Sequence, residues 1–384
     1  MGGGQKLGIL GGGQLGAFFA VAARRLGYRV TVWDPDPAAP AGAWADRFVA
    51  LPFDAPRGFQ LFLSQSEAVT YEWENIPVSL VEAIEAKLPV RPGSGVLRLL
   101  QNRISEKNFL AEHHFPVTPF RAVTHPSELQ KRVEEVTLPI VCKTATAGYD
   151  GHGQWRLNSS EEAASLAQRL QPRDTGWIVE RRVPYLKELS VVVARNDRGA
   201  FNAYPVTDNV HEKGILRLSQ VPAEIDPALA RKATTLATDV IFALNGVGVF
   251  CIEMFLLENG ELLVNEIAPR PHNAGHYSMD VCTVSQFEQQ ARILCGLPLV
   301  PPQLLSPAVM VNILGHEISA LTSPGPADEL LAIPGARIYH YRKEVIKEGR
   351  KMGHVTIADP DAKSAMEKAG RVRAILEREA EKSC

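Results

Sequence analysis

The sequence has no excess of charge of either sign: 41 lysine and arginine residues stand against 43 aspartate and glutamate residues, which gives a net charge of −2. This balance excludes the broad basic surface on which proteins that bind nucleic acids or anionic membranes depend. We therefore expect neither a nucleic-acid nor a membrane partner, and any basic residues that bind phosphate must act locally.

Cysteine is also scarce, with five residues scattered along the chain. Their spacing excludes the close pairs of a zinc site and the framework of a disulfide-rich domain, so a reducing cytoplasm is the expected location. Long apolar runs are lacking too, because the uncharged stretch 7–23 is short for a membrane span and is interrupted by glycines and Gln14.

What the chain does contain is a hydrophobic fraction of 45% over 384 residues, enough for two or three domains. Its start predicts strand 7–10, a glycine loop at 11–16, helix 17–26 and strand 28–34, which together form a βαβ unit of an α/β fold. Gly11, Gly13 and Gly16 fit a dinucleotide fingerprint, with Asp34 near the place of a ribose-binding acid. A nicotinamide-dependent oxidoreductase is therefore one hypothesis, although such glycines also serve a tight turn or other phosphates.

A hairpin at 249–267 is the second strong pattern. Two apolar runs flank Asn259–Gly260, which predicts a two-residue loop and places Glu253 directly opposite Glu266. Like charges on paired strand positions destabilise a sheet, so the arrangement predicts a compensating cation, and Mg²⁺ suits such oxygen ligands. The alternative is a pair of solvent-facing glutamates.

Two further acids follow an apolar strand predicted over 68–76. Alternation along that strand places Glu72 and Glu74 on one side, at the end of a strand where ligands of α/β sheets bind. The alternative is a strand that runs into solvent, which would show the same alternation of acidic and aromatic residues. A helix is predicted through 94–110, on which Arg103, Glu106 and Lys107 could be a solvated face.

A strand at 138–144 ends in Lys143 and is followed by a glycine-rich loop at 147–154. A lysine that ends an apolar strand needs an anionic partner, and a glycine loop can close over phosphates through its backbone N–H groups. The pair suggests ATP, although a surface turn would use the same glycines.

Further candidates are Glu188, as an acid for adenine and ribose, and His211, in a polar stretch that predicts a solvated loop. Basic residues at 342–343 and 350–351 could clamp a phosphate or lie on a surface loop.

In this order, the glycine-loop βαβ unit, the strand lysine with its glycine loop and the carboxylate hairpin resemble the ATP-grasp enzymes. Segments 70–77, 148–154, 265–276 and 349–354 are similar to the signatures of one ATP-grasp family, PurK, the 5-(carboxyamino)imidazole ribonucleotide synthases. The resemblance implies an α/β protein with a three-domain ATP-grasp fold: a Rossmann-like preATP-grasp domain (1–105), an ATP-grasp domain with a mobile lid (106–300) and a small C-terminal domain (301–384).

The resemblance further implies a cytoplasmic homodimer that uses ATP, bicarbonate and Mg²⁺ to carboxylate 5-aminoimidazole ribonucleotide. The residues that it assigns to ATP are Arg103, Lys143, Gly148, Tyr149, Asp150, Gly151, His152, Gly153, Gln154, Glu180, Arg181, Arg182, Val183, Glu188, His211, Asn265 and Glu266. It assigns Mg²⁺ to Glu253 and Glu266, and catalysis to Arg270, His272 and Lys343. Substrate binding falls to Glu74, Tyr149, Asp150, Arg270, His272, Asn273, Lys343 and Arg350, with bicarbonate at Arg270 and His272 and the nucleotide phosphate at Lys343 and Arg350.

This chain departs from the family pattern at four positions. His152 replaces a usual arginine or lysine and Ala145 lacks a basic residue, while Ala274 replaces a serine and Arg342 a glycine. The alternatives that stay open are another ATP-grasp carboxylate–amine ligase, such as a formate-using one, the oxidoreductase, and a catalytically silent binding protein.

Overall fold

The computed structural model describes residues 5–148 and 153–383, and the strands in that part of the chain form three sheets. The strands are β1 (Lys6–Leu10), β2 (Arg29–Trp33), β3 (Arg47–Val49), β4 (Ala68–Tyr71), β5 (Phe120–Val123), β6 (Ile140–Thr144), β7 (Gln154–Leu157), β8 (Trp177–Arg181), β9 (Lys187–Arg195), β10 (Phe201–Ala203), β11 (Thr207–Glu212), β12 (Ile215–Val221), β13 (Gly248–Leu256), β14 (Leu262–Ala268), β15 (Ala308–Leu314), β16 (Ala336–His340) and β17 (Lys351–Ala358). The α-helices are α1 (Gln14–Arg25), α2 (Pro56–Ser64), α3 (Val78–Glu85), α4 (Ser94–Leu100), α5 (Arg103–Glu112), α6 (Leu129–Val136), α7 (Ser160–Arg169), α8 (Pro227–Leu244), α9 (Ser278–Val281), α10 (Gln286–Leu294), α11 (Ser319–Thr322), α12 (Pro326–Leu331) and α13 (Ala362–Ser383). Over these ranges, the structure contains no helix long and apolar enough to cross a membrane.

The N-terminal sheet is parallel, with the strand order β3-β2-β1-β4. The predicted βαβ unit is confirmed, since α1 connects β1 to β2. Both strands are nearly continuous apolar runs because the sheet is covered on both faces, and Leu7, Ile9 and Val32 are fully buried. On one face, α1 packs against α10 from a distant part of the chain.

Strand β4 is shorter than the sequence predicts. It ends at Tyr71, so Glu72 and Glu74 lie in the loop that follows and do not share one side of a strand. The loop carries Glu72 back to the start of α1, where its carboxylate accepts hydrogen bonds from the backbone N–H groups of Gly13 and Gly16. Alternation along a strand could not reveal this, because the contact is made between distant loops.

A small antiparallel sheet with the order β5-β8-β6-β7 is covered on one face by α6 and α7. Strand β6 runs beside β8, and Val141 pairs with Glu180 while Lys143 pairs with Ile178. Lys143 therefore lies beside the strand that carries Glu180.

The largest sheet has the order β14-β13-β9-β11-β12-β15-β17-β16, with β10 beside β9. Strands β12 and β15 pair antiparallel from Leu218↔Val311 to Val221↔Ala308. The sheet therefore continues past residue 300, the position at which the sequence predicts a domain boundary, and the boundary itself stays a prediction.

The hairpin β13–β14 has the predicted glutamate pair but not the predicted turn. Leu257 donates its N–H to the Glu261 carbonyl, and Gly260 has a φ of +80°, which makes a three-residue loop closed by a left-handed residue. Asn265 is then an extra, bulged residue, after which Glu253 pairs with Glu266. The bulge cancels the shift at the turn, so the two-residue loop is wrong and the opposed pair is confirmed.

The helix expected through 94–110 is two helices, α4 and α5. The break is at Asn102, whose side chain caps α5 by accepting hydrogen bonds from the N–H groups of Ile104 and Ser105 at 2.9 and 3.3 Å. Arg103 is consequently the first residue of a new helix, and its backbone N–H donates to the Ala145 carbonyl at 2.9 Å.

An aromatic group, here called the imidazole cluster, joins the N-terminal sheet to the C-terminal strands. The Phe18 ring on α1 packs edge-on against four other rings at centroid distances of 5.4 to 6.0 Å. The members of the cluster are Phe18, His276, Tyr339, Tyr341 and His354. Both histidines are fully buried.

Candidate active site

The opposed glutamates of β13 and β14 each contact a positively charged or protonatable group. Glu266 accepts a hydrogen bond from Arg103 Nη1 at 2.8 Å, and Glu253 Oε1 lies 3.1 Å from His272 Nε2. Burial raises the pKa of Glu266, but Arg103, Lys143 and His272 together lower it further, to about 2, so the carboxylate is ionised. Burial lowers the pKa of His272, but Cys251 and Glu253 raise it more, so the net pKa is about 10. This value favours the imidazolium form.

The pair fits a magnesium ion by the chemistry of its oxygen donors. Two carboxylates meet on one face of the sheet, and Mg²⁺ is usually held by one or two carboxylates together with substrate phosphates. Within the described ranges, no three His, Cys, Asp or Glu side chains come together as a metal site. Glu253 and Glu266 could therefore hold Mg²⁺ only if a substrate supplied further ligands.

Arg103 links this pair to the glycine-rich loop. Its second terminal nitrogen donates to the Gly148 carbonyl at 3.0 Å. Arg103 is thus part of the site and not of a solvated helix face. Tyr149, Asp150, Gly151 and His152, which the sequence places in the same loop, lie outside the described residues.

Lys143, Lys107 and Glu180 form a buried group next to Arg103. Lys143 donates to Glu180 Oε2 at 2.5 Å, and the Lys107 ammonium lies 3.5 Å from the other carboxylate oxygen. Burial raises the pKa of Glu180, and the two lysines overcome that effect and hold it at about 2. The predicted anionic partner of Lys143 is therefore Glu180, which leaves one more lysine than carboxylate in this group.

Glu106 completes what we call the charged cluster. Its carboxylate is 3% exposed and accepts a hydrogen bond from the Ile267 N–H. Burial and the nearby Glu266 raise the pKa of Glu106 to about 8. The members of the charged cluster are Arg103, Glu106, Lys107, Lys143, Glu180 and Glu266.

Sequence reasoning missed the burial of Glu106 and Lys107, which it allowed to be a solvated face. The signal was present in the helical spacing, because Glu106 precedes the buried Phe109 and Leu110 by three and four residues and so shares their face. Charged side chains in the middle of an apolar face indicate a polar partner in the interior.

Glu188 and His211 face each other from β9 and β11. His211 Nδ1 lies 2.6 Å from Glu188 Oε2, and the Tyr185 hydroxyl donates to the same carboxylate. Burial raises the pKa of Glu188, but His211 and Tyr185 lower it to a net value below the ordinary one. The prediction that His211 lies in a solvated loop is wrong, because segment 207–212 is a strand that pairs with both β9 and β12.

Arg270 and Glu74 form a two-bonded ion pair beyond the end of β14. Arg270 Nη2 donates to Glu74 Oε1 at 2.8 Å, and Nε donates to the other carboxylate oxygen. Burial raises the pKa of Glu74, and Arg270 lowers it to a net value below the ordinary one. The structure thus brings together two residues 196 positions apart that the sequence assigned to the same site.

The glycine loop at the start of α1 is closed by the chain's own carboxylates. Asp34 accepts a hydrogen bond from the Gly12 N–H at 2.6 Å, and Glu72 accepts from Gly13 and Gly16. A dinucleotide would need these N–H groups for its pyrophosphate and Asp34 for its ribose. The loop therefore does not favour the oxidoreductase hypothesis.

Lys343 and Arg350 lie in the loop between β16 and β17. Lys343 Nζ donates to the Lys351 carbonyl at 2.9 Å and lies 5.5 Å from the centre of the Tyr341 ring. Its charge also lowers the pKa of Glu72, which burial raises. This lysine thus acts electrostatically on the N-terminal glycine loop. Arg350 donates to the Val345 carbonyl at 2.7 Å.

The remaining candidates occupy varied environments. Arg181 and Arg182 have exposed side chains at the end of β8, with Val183 next to them. Gly153, at a φ of +71°, leads into Gln154 at the start of β7. Asn265 is the bulged residue. Asn273 is 6% exposed, and neither polar atom of its side chain has a hydrogen-bond partner among the described residues.

A Rossmann-like domain, a small antiparallel sheet carrying a lysine and a large sheet carrying opposed glutamates together define an ATP-grasp enzyme. Family models match the chain accordingly: "Ribonucleotide synthetase preATP-grasp domain" at 4–101, "ATP-grasp domain" at 108–287 and "Phosphoribosylaminoimidazole carboxylase C-terminal domain" at 308–368. The chain belongs to the N5-carboxyaminoimidazole ribonucleotide synthase (PurK) family. The resemblance and the fold class expected from the sequence are thereby confirmed.

Close relatives extend over nearly the whole chain. The N5-carboxyaminoimidazole ribonucleotide synthase of Bacillus subtilis is 41% identical over 92% of this chain and 91% of its own length, and that of Brucella melitensis is 37% identical over 93% and 97%. A PurK crystal structure with ADP has a TM-score of 0.91 at 39% identity, covering 98% of this chain and 97% of that one. The Aspergillus clavatus synthase in complex with ADP and 5-aminoimidazole ribonucleotide has a TM-score of 0.90 at 31% identity, covering 98% and 100%.

Proposed function

We propose that this chain is a carbon–nitrogen ligase that carboxylates the exocyclic amine of 5-aminoimidazole ribonucleotide, with consumption of ATP and bicarbonate. Bicarbonate oxygen attacks the γ-phosphorus of ATP, which releases ADP and forms carboxyphosphate. The amine then attacks the carboxyl carbon, phosphate leaves, and the N–H proton is lost. The observation that carries this proposal is the opposed pair Glu253–Glu266 directly followed along the chain by Arg270 and His272, within a chain of this family.

Mg²⁺, held by Glu253 and Glu266, would neutralise phosphate charge during the transfer. On the chain itself, Arg103 and Lys143 are proposed to stabilise the negative charge of the phosphates, and Lys107 together with Lys143 keeps Glu180 ionised. We assign Gly148, Gly153, Gln154 and the intervening loop to a lid that excludes water from carboxyphosphate. We propose that six further residues complete the ATP site: Glu188, His211, Arg181, Arg182, Val183 and Asn265.

Arg270 is the proposed bicarbonate-binding residue. Its guanidinium makes two parallel bonds to the Glu74 carboxylate, and the same fork can bind the planar carboxylate of bicarbonate. Glu74 is proposed to contact the imidazole nucleotide as well, so the two substrates would meet at this ion pair. His272, which its surroundings hold as the imidazolium, is suited to donate a proton or a hydrogen bond to a bicarbonate oxygen.

The nucleotide phosphate is assigned to Lys343 and Arg350, and Asn273 is proposed to bind the substrate, with Tyr149 and Asp150 from the loop. Lys343 and Arg350 both belong to the loop between β16 and β17, so the phosphate would lie at that C-terminal loop. The amide of Asn273 is buried and has no hydrogen-bond partner among the described residues, which supports a polar partner at that position.

We further propose that the chain has domain boundaries at 105/106 and 300/301. The protein is also proposed to be a cytoplasmic homodimer with a role in purine biosynthesis. Light scattering of the purified protein tests the dimer, since a mass near 42 kDa would contradict it.

A coupled assay of ADP release tests the activity. We expect release to require both bicarbonate and 5-aminoimidazole ribonucleotide, and release indifferent to the nucleotide would contradict the proposal. Replacement of bicarbonate by formate separates this activity from that of a formate-using ligase. Tight NADH binding without ATP binding would instead favour the oxidoreductase.

A further inference from the structure

Strand β14, which carries Glu266, is an edge strand of the large sheet. Among the described residues, no long strand lies beside its outer edge and only the isolated bridge Val117↔Val264 is formed there, yet Leu262, Val264 and Ile267 of this strand are buried. Buried N–H and C=O groups need hydrogen-bond partners, so something else must supply them.

Helix α5 and the segment after it supply those partners. Lys107 Nζ donates to the Val264 carbonyl at 3.1 Å, and the Glu106 carboxylate accepts from the Ile267 N–H at 2.5 Å. The Val264 N–H donates to the Pro116 carbonyl at 2.7 Å. Lys107 and Glu106 are themselves 2% and 3% exposed, so both contacts are shielded from water.

These contacts bracket the bulge. Val264 precedes Asn265 and Glu266, and Ile267 follows them, so two consecutive residues of α5 hold the strand on either side of the extra residue. The bulge decides on which face Glu266 lies, because a strand without it would turn Glu266 away from Glu253.

We propose that Glu106 and Lys107 are positioning residues, which hold the bulge of β14 and thereby fix the Glu266 carboxylate opposite Glu253. The part that concerns catalysis rests on the proposed function, since it takes Glu266 as a metal-holding residue. Lys107 also contacts Glu180, the partner of Lys143, so the same residue connects the bulge to the lysine proposed to bind ATP. A displacement of about 1 Å at such a site reduces activity strongly.

Hydrogen–deuterium exchange of the ligand-free protein tests the structural part. Glu106→Leu removes the acceptor, whereas Glu106→Gln keeps an oxygen that can accept from Ile267. We expect exchange across 262–268 to accelerate at least about ten-fold in the leucine variant and to stay at the wild-type rate in the glutamine variant. Glu112→Leu, an exposed position on the same helix, is the matched control and should change nothing.

The magnesium dependence of ADP release tests the functional part. We expect Glu106→Leu to raise the half-saturating Mg²⁺ concentration about ten-fold or more, with little change in the KM for the imidazole nucleotide. Glu106→Gln should restore the wild-type dependence. A general loss of stability would lower the amount of active enzyme without shifting this concentration.

Wild-type exchange at 262–268 in Glu106→Leu overturns the proposal, and so does faster exchange with an unchanged magnesium dependence. If Glu106→Leu does not fold, Lys107→Met tests the other side of the bulge with the same two measurements and the same outcomes. Failure of the proposed function is recognised separately, because it appears in the wild-type enzyme as ADP release that does not need the imidazole nucleotide.

Discussion

Glu180 in the charged cluster and the two histidines of the imidazole cluster are buried ionisable side chains with opposite electrostatic outcomes, while Glu106 in the charged cluster is shifted towards its neutral form by burial and by Glu266. In the charged cluster, Glu180 is ionised, with its pKa at about 2. In the imidazole cluster, His354 is neutral, with its pKa lowered to about 3, and the pKa of His276 is also far below its ordinary value. Burial disfavours the charged form in both places.

The difference lies in the partners. Glu180 is within 3.5 Å of two ammonium groups, whose attraction exceeds the cost of desolvation. His354 Nδ1 instead faces the Tyr341 hydroxyl at 2.8 Å, and His276 packs against aromatic rings and Gln286. A buried group thus keeps its charge where nearby opposite charges outweigh the cost of burial, as at Glu180, and becomes neutral where they do not, as at His354.

The largest expected effect comes from removing one charge of the opposed pair. Glu266→Gln should lower turnover by about 100-fold or more, because Arg103 and any bound Mg²⁺ lose their carboxylate. ADP release at limiting and saturating Mg²⁺ measures this change, with thermal unfolding as a check that the variant folds. Glu258→Gln, in the exposed loop of the same hairpin, is the control, and unchanged turnover of Glu266→Gln at limiting Mg²⁺ would refute the metal assignment.

The second prediction tests whether Arg270, which is paired with Glu74, also binds a substrate. Arg270→Ala should reduce kcat/KM for bicarbonate by roughly 100-fold while ATP affinity changes little, because the guanidinium fork is proposed to bind the second substrate. Steady-state kinetics with each substrate varied in turn measures this. Arg98→Ala, which breaks the exposed Arg98–Glu82 pair, should leave the kinetics unchanged. A selective loss of ATP affinity in Arg270→Ala would contradict the assigned role.

The pH dependence of stability distinguishes the histidines of the imidazole cluster from Glu180. A histidine whose folded pKa is depressed binds fewer protons in the folded than in the unfolded state, so stability falls as pH drops below about 6.5, by up to about 1.4 kcal/mol per pH unit for each such histidine. The depressed carboxylate Glu180 contributes stability that is lost only below about pH 4.5.

Urea unfolding at pH 7.5, 6.5 and 5.0 covers the range in which the imidazole cluster loses stability on acidification. Glu106, whose pKa is raised to about 8 by burial and Glu266, gains stability as the pH falls through the same range, so the contribution of His354 is read from the difference between the variant and the wild type. We expect His354→Gln to gain stability relative to the wild type as the pH falls from 6.5 to 5.0, whereas the exposed control His125→Gln should follow the wild type. Parallel curves for the wild type and His354→Gln would show that His354 is not the source of acid sensitivity.

The smallest effect is expected at the edge of the imidazole cluster. Arg342 follows Tyr341 and has a φ of +58°, a conformation that costs a non-glycine residue about 1–2 kcal/mol. Arg342→Gly removes this strain and should stabilise the folded protein. Because glycine also has greater freedom in the unfolded chain, part of that stabilisation is offset, and we expect a net gain of about 0.5–1 kcal/mol. Arg342→Ala keeps the strain and should give no comparable gain in urea unfolding, and equal gains for both variants would refute strain as the cause.

Much of the fold was predictable where neighbouring residues decide it. The first βαβ unit follows from apolar runs around a glycine loop, and the strand predicted over 138–144 contains β6, Ile140–Thr144. The opposed glutamates were also predictable, although for a reason that was partly wrong. The turn holds three residues because Asn259 accepts a hydrogen bond from the Glu261 N–H and Gly260 adopts a left-handed conformation.

The remaining differences come from contacts between distant residues. Strand β4 ends early because Glu72 binds the start of α1, 56 to 59 residues away. Glu106 and Lys107 are buried because β14, about 160 residues later, needs partners for its outer edge. His211 lies on a strand because β11 pairs with β9 over 207–209 and continues beside β12 over 208–212, where His211 pairs with Leu216.

The sequence by itself determined the order of the elements, the chemical character of the site and the family, since motif, spacing and residue type lie within short segments. Only the tertiary structure decided which charges are paired: Arg103 with Glu266, Arg270 with Glu74, and Lys143 and Lys107 with Glu180. The physical reason is that the state of a buried ionisable group depends on the charges within a few ångströms, and long-range folding alone brings those charges together.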